Sequence, residues 1–397
     1  MVATPLVYDP YDYVIDADPH PVWKRLRDEA PVYYNPEHDF YALSRFDDVL
    51  AAHLDPATFS SAHTTVLEMM VPEPDPFMTS MMIFMDPPQH TRYRKLVSRA
   101  FTPRHMAALE LRVRALAGRF LDEFVGAGSF DYVGDFGSRL PVMVISALLG
   151  APEADEEQLR EWTDSMLHID PGEMMGAQAV DIRQAVHDYW QAIIDDRRRT
   201  PRDDIMSELM TAELDDDGSA RYLTDDEVHA FMGLISGAGN ETVARFLGWS
   251  AIGLDRYPDQ RRKLVETPAL IPNAVEEILR WEAPSPIQGR WVTSPVTVQD
   301  TLLPAGTKVA LLTGAANRDE RMFDDPDAID VEREIPRHVA FGYGIHFCLG
   351  AALARLEGRI ALEETFKRFP TWEVDADRCE MVHTSTVRGY AKVPIIT

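Results

Sequence analysis

The chain has 397 residues, 45% of them hydrophobic and 26% charged, an ordinary globular composition that excludes disordered, collagenous and fibrous classes. With 39 basic against 65 acidic residues the formal charge is −26, which repels phosphate backbones and anionic bilayers and argues against a nucleic-acid partner. Two cysteines, Cys348 and Cys379, are too few for a disulfide framework. Together with the lack of a signal segment, or of an uninterrupted run of about 20 apolar residues, they predict a cytoplasmic protein without a membrane anchor.

The proline-rich start gives way to two short apolar runs, 32–34 and 40–43, around Asn35-Pro36-Glu37-His38-Asp39, which reads as a hairpin. From about 90 to 280 the pattern is mostly helical, with Leu109, Val113, Leu116, Phe120, Leu121 and Phe124 at helical spacing. Asp215-Asp216-Asp217-Gly218-Ser219 marks a turn, and Thr224 with Glu227 forms a capping box that opens a long helix toward Leu254. The stretch 291–312, rich in Val with Thr, Pro and Gly between, predicts short strands; 349–369 returns to helix and 381–397 to strand. The expected fold is mainly α with small β-sheets. It forms one domain over 1–397, β-rich at roughly 30–45, 290–313 and 381–397 and helical at roughly 46–289 and 349–369, since no linker separates two cores.

The most informative segment is Phe341-Gly342-Tyr343-Gly344-Ile345-His346-Phe347-Cys348-Leu349-Gly350. Three glycines in ten residues imply unusual dihedrals or a close neighbour. Cys348 falls at or just before a helix N-terminus, where free N–H groups and the dipole favour a thiolate. Such a thiolate, with glycines that let a flat ligand approach, suits an axial ligand of haem iron. The bland alternative is a buried inert cysteine, which is the reading for Cys379. A zinc site on His346 and Cys348 lacks a CxxC partner.

This segment resembles the haem-binding signature of the cytochrome P450 superfamily, Phe-Gly-x-Gly-x-His-x-Cys-x-Gly, at every fixed position, and three further motifs follow the family's order. Glu277 and Arg280 match its Glu-x-x-Arg, with Arg333 in Asp330-Val331-Glu332-Arg333 as the third member; spacing i, i+3 puts the first two on one helical face. Ala238-Gly239-Asn240-Glu241-Thr242 resembles the acid–alcohol motif of the family's longest helix. There Leu234, Ala238, Thr242 and Phe246 share one face, and the Thr242 hydroxyl can bond the carbonyl four residues back. The small Ala238 would let haem approach, and Glu241 is expected among mainly apolar neighbours. His90 and Arg94, one turn apart, match a pair that binds a haem propionate, and Arg290 and His346 match two more propionate positions.

The resemblance is to the soluble bacterial type and implies a single haem-enclosing domain. The implied cofactor is haem b (iron protoporphyrin IX), held by Cys348 as metal ligand with Phe341, Gly342 and Gly350 beside it. The implied activity is insertion of one oxygen atom from O2 into a C–H bond, with Thr242 holding a water and Glu241 relaying protons. Electrons would come from an external ferredoxin and its NAD(P)H-dependent ferredoxin reductase, docked on a locally basic face near Arg99, Arg104, Arg355 and Arg359. Six of the 17 methionines, Met69, Met70, Met78, Met81, Met82 and Met85, crowd one loop with Phe77, Ile83 and Phe84, a region that roofs the family's substrate pocket. Met82, Phe84, Met166, Leu167, Met232, Ile235, Ile287 and Val387 are the expected pocket residues. They imply an apolar small-molecule substrate: a terpenoid, a steroid or a fatty lipid. A haem-thiolate peroxygenase or isomerase that needs no ferredoxin, and a non-enzymatic haem sensor, are the competing functions.

Overall fold

The computed structural model describes residues 5–74, 80–98, 103–155, 158–159, 161–162, 177–202, 204–216, 218–384 and 386–397. Two short helices, Tyr13–Ala17 and His20–Glu29, lead into the expected hairpin of β1 (Val32–Asn35) and β2 (Phe40–Leu43). Asn35 Oδ1 accepts the backbone N–H groups of Glu37 and His38, which sets the turn. Helix α1 (Phe46–Leu54) and β3 (Phe59–Ser60) follow, then α2 (Gln89–Val97) and a helix at Pro103–Asp122. Next come α3 (Arg139–Leu148), a helix at Ala177–Arg199 and the long α4 (Asp225–Arg256). Helix α5 (Ile271–Trp281), β4 (Ile287–Val292), β5 (Lys308–Leu312) and α6 (Ala351–Arg368) complete the parts that build the site.

The main sheet runs β1-β2-β5-β4-β3. β5 is parallel to β2, with Ala310 opposite Ala42, and antiparallel to β4, with Val309 opposite Arg290. The tail forms strands at Glu380–Val382, Gly389–Lys392 and Pro394–Ile396, as expected. Several details differ from the sequence reading. A strand at Ser129–Asp131, paired with Pro394–Ile396, and a hairpin of Leu214–Asp216 with Ser219–Arg221 interrupt the stretch expected to be helical. β4 begins at Ile287 rather than near 290. Helix α6 begins at Ala351 rather than 349, because Cys348 and Leu349 belong to the loop and Gly350 is the N-cap.

Helix α4 runs through the core, and Val228, Phe231, Ile235, Val243, Phe246, Leu247 and Trp249 are buried along it. Its capping box forms: the Thr224 hydroxyl accepts the Glu227 N–H, and the Glu227 carboxylate takes the Thr224 N–H at 2.8 Å. Arg221 and Tyr93 also donate to Glu227, which holds its carboxyl down at about 2 despite partial burial. A Cβ on Gly239 would stand 2.3 Å from Ile145 Cδ1, so the glycine admits α3 against α4.

Glu277, Arg280 and Arg333 form the expected triad. Arg280 reaches Glu277 with Nε at 2.7 Å and Nη2 at 2.8 Å, and Arg333 Nε adds a bond at 3.0 Å. Arg280 also donates to the carbonyls of Asn317, Pro326 and Ala328. It thereby ties α5 to the meander that precedes the cysteine loop.

Candidate functional site

The cysteine loop takes its shape from its glycines. Gly342 and Gly344 have φ of +64° and +67°, where a side chain is strained. A Cβ on Gly344 would stand 2.5 Å from the His53 carbonyl oxygen, so the loop lies directly on the end of α1. The Cys348 N–H bonds the Phe341 carbonyl at 2.9 Å, which closes the loop around the sulfur. Burial pushes the Cys348 thiol up, and the Gly350 backbone N–H with Arg94 and Arg355 pulls it down; burial wins. A bound metal cation would favour the thiolate that the sequence suggests.

Cys348 opens onto a cavity between the cysteine loop, α4 and the main sheet. From α4 it is walled by Leu234, Ala238, Thr242 and Phe246, the face that the sequence spacing predicts, and by Ile235, Gly239 and Val243 beside it. Phe341, Gly342, His346 and Gly350 line it from the loop, His90 and Arg94 from α2, Arg290 from β4, and Met82 from the methionine-rich segment. The Thr242 hydroxyl donates to the Ala238 carbonyl at 2.9 Å, as expected.

Several expected pocket residues lie elsewhere. Phe84 and Met232 are buried outside the cavity, Met232 in the main core cluster. Ile287 packs toward the N-terminal cluster, because alternation along β4 sends Gln288 and Arg290 to the cavity and Ile287 to the other face. Val387 is not a wall residue either; its N–H and C=O both close a turn on the Thr384 hydroxyl. Met166, Leu167, Phe77, Met78 and Arg99 lie outside the described residues. Glu241 is not among apolar neighbours: Arg245, one turn on, meets it at 3.2 Å and is itself tied to the Tyr390 carbonyl at 2.7 Å. The expected basic face is also altered. Arg355 is paired with Glu276 at 2.6 Å, and Arg359 with Glu110 at 2.9 Å and Glu363 at 3.0 Å.

Among the wall residues that sequence reasoning missed are His53, Gln288 and Glu357. His53 has a legible signal. Phe46, Val49, Leu50 and His53 sit at i, i+3, i+4 and i+7 on α1, so the imidazole takes a core position. Glu357 is 1% exposed, its Oε2 has no partner among the described residues, and burial raises its carboxyl to about 8.

One edge of the cavity is polar in an unusual way. Both ring nitrogens of His53 and of His90, and Nε2 of His346, are buried with no hydrogen-bond partner among the described residues. The His90 and His346 rings are 4.3 Å apart. Burial first, then the neighbouring arginines, hold His53 at about 3 and His90 at about 4; His346 is driven down for the same reasons. Burial also lowers Arg290 to about 10, opposed by Asp86. Unpartnered imidazoles beside two guanidiniums are costly as they stand and fit a group that brings its own carboxylates. The propionates of haem answer that description, and the sulfur of Cys348 and the glycine-shaped loop fit its iron and its flat ring.

The fold and this site define a haem-thiolate protein. A family model described as Cytochrome P450 matches residues 40–267 and 269–390. Cytochrome P450 130 of Mycobacterium tuberculosis is 41% identical over 392 residues, covering 95% of this chain and 94% of the relative. Vitamin D(3) 25-hydroxylase of Pseudonocardia autotrophica is 36% identical over 385 residues, covering 95% and 93%. The solved structure of cytochrome P450 CYP109Q5 from Chondromyces apiculatus superposes with a TM-score of 0.88 at 31% identity, covering 98% of this chain and 97% of that one. The chain belongs to the cytochrome P450 family and is a monooxygenase of the bacterial type, a family that binds haem through a cysteine thiolate. No described helix is long and apolar enough to cross a membrane.

Proposed function

We propose that Cys348 is the thiolate ligand and that the enzyme inserts one oxygen atom from O2 into an apolar small molecule within one domain, residues 1–397. The observation that carries this reading is a single cavity walled by Cys348, by Thr242 on α4 and by the unpartnered imidazoles with Arg94 and Arg290. Haem bound there supplies the oxygen chemistry, with the thiolate donating electron density that favours O–O cleavage. The protein's own residues hold and order the components. Arg94, Arg290, His90 and His346 would bind the propionates. Ala238 keeps the α4 wall low. Thr242, with its proton committed to the Ala238 carbonyl, presents an oxygen that can accept a bond from a water and so hold a proton donor in the cavity. Glu241 serves as a relay with one carboxylate oxygen held by Arg245, so the ion pair constrains that route.

Apolar walls such as Ile145, Leu234, Ile235 and Val243 favour a hydrophobic substrate, with Ser285 and Gln288 as polar points for orientation. The relative named for vitamin D(3) supports the steroid-like end of the terpenoid, steroid and fatty-lipid range. Electrons are proposed to come from a ferredoxin and an NAD(P)H-dependent ferredoxin reductase. The acid–alcohol pair Glu241 and Thr242, with Thr242 on the cavity wall, favours oxygen activation over a peroxygenase, an isomerase or a sensor, because proton delivery is what such a pair serves.

The test is coupling. Thr242→Ala is expected to keep haem and substrate binding but to lower product formed per NAD(P)H consumed, roughly tenfold, with the difference released as hydrogen peroxide. Unchanged coupling would remove Thr242 from proton delivery. Turnover with peroxide alone that outruns the electron-transfer system would favour the peroxygenase.

A further inference from the structure

His53 is 4% exposed and lines the cavity from the last turn of α1, yet neither ring nitrogen has a hydrogen-bond partner among the described residues. It does not fill that position as a hydrophobe would. The other residues of its stripe, Phe46, Val49 and Leu50, belong to the cluster under the sheet, whereas His53 sits at its cavity end. The cysteine loop lies against it: a Cβ on Gly342 would be 3.6 Å from His53 Cε1 and 3.9 Å from Nδ1. The charged group that acts on it electrostatically is Arg290, and it acts in turn on His346. A buried imidazole with two open nitrogens is unfavourable unless a ligand supplies the acceptor.

We propose that His53 donates a ring N–H to a haem propionate, as a third imidazole beside His90 and His346, and that it contributes to cofactor retention from the α1 side of the cavity. The inference rests on the haem-thiolate reading above. Because Gly342 and Gly344 pack on the same residue, this bond joins the cofactor's carboxylate edge to the loop that carries Cys348.

The test uses holoprotein of the wild type, His53→Phe and His53→Gln. Haem transfer to excess apomyoglobin measures retention, and resonance Raman spectroscopy of the propionate-bending region reports on the carboxylates directly. His53→Phe keeps a ring in place and removes both nitrogens. It is expected to speed haem loss roughly ten- to a hundredfold, the range for a hydrogen bond to a charged group, and to shift the propionate band. His53→Gln, which restores a donor, is expected to stay within about threefold of the wild type. Reconstitution with the dimethyl ester of the same porphyrin should erase the difference between His53→Phe and the wild type. Where His53→Phe does not accumulate, His53→Leu answers the same question. Wild-type haem loss with an unmoved propionate band, or a difference that survives esterification, overturns the proposal. A carbon monoxide spectrum without thiolate character would instead sink the haem-thiolate reading itself, so the two failures are distinguishable.

Discussion

Replacing Glu277 by glutamine isolates one charge in the triad. Glu277 and Arg280 are both fully buried. The Glu277 carboxylate accepts from Arg280 Nε at 2.7 Å, Arg280 Nη2 at 2.8 Å, Arg333 Nε at 3.0 Å and the Asp330 N–H at 2.9 Å. Each oxygen faces donors, so an amide must turn its NH2 toward an N–H whichever way it is oriented. Its one oxygen cannot serve both sides, and Arg280 keeps a buried charge without its counter-charge. Removing one partner of a buried pair costs about 3–5 kcal/mol. That is a large share of a net stability of roughly 5–15 kcal/mol. The loss should also reach the cofactor, because Arg280 fixes the carbonyls of Asn317, Pro326 and Ala328 ahead of the cysteine loop. Urea unfolding followed by tryptophan fluorescence, with the haem-to-protein ratio of the purified variant, gives both numbers. A loss below about 1 kcal/mol with a normal haem ratio would refute the reasoning, since it would mean that the buried charge is compensated elsewhere.

Two further outcomes follow from single residues. Glu357, raised by burial to about 8, is neutral in the folded protein and charged in the unfolded chain above about 4.5. The stability this difference confers is present below the lower value and fades as pH rises through the upper one, by up to about 1.4 kcal/mol per pH unit between them. Glu357→Gln should therefore be more stable than the wild type at pH 8 and close to it at pH 5; parallel pH profiles in urea would contradict the burial argument. Gly344→Ala puts a Cβ 2.5 Å from the His53 carbonyl at φ +67°. It should lower stability by about 2 kcal/mol or more and loosen haem, and an unchanged urea midpoint would show that the loop does not depend on that contact.

How much was legible from sequence follows from the range of each determinant. Thr242 bonded to Ala238, the capping box at Thr224 and Glu227, and the Glu277–Arg280 pair all depend on spacings within one element, which helical geometry fixes, and Cys348 is legible from the glycine spacing of its loop. Arg333, far along the chain, was placed by resemblance and does reach Glu277. What failed depends on neighbours distant in sequence or on strand register. Ile287 was expected in the pocket, but a one-residue phase along β4 gives the cavity Gln288 instead. Arg355 pairs with Glu276 from another element, which no local reading of charge could show; Arg359 takes Glu110 from another element as well as Glu363 one turn on. The Glu241–Arg245 pair, like Arg359–Glu363, is legible from its i, i+4 spacing. His53 was legible as a polar residue on an apolar stripe, but its open nitrogens appear only once α1, α2 and the cysteine loop meet.

The most direct test of the central claim is the carbon monoxide spectrum of the dithionite-reduced protein, taken for the wild type and for Cys348→Ala. The account predicts a strongly red-shifted Soret band in the wild type that is lost in Cys348→Ala, as thiolate ligation requires. A Soret band at the position of histidine-ligated haem in the wild type, or a red-shifted band that persists without Cys348, would contradict it.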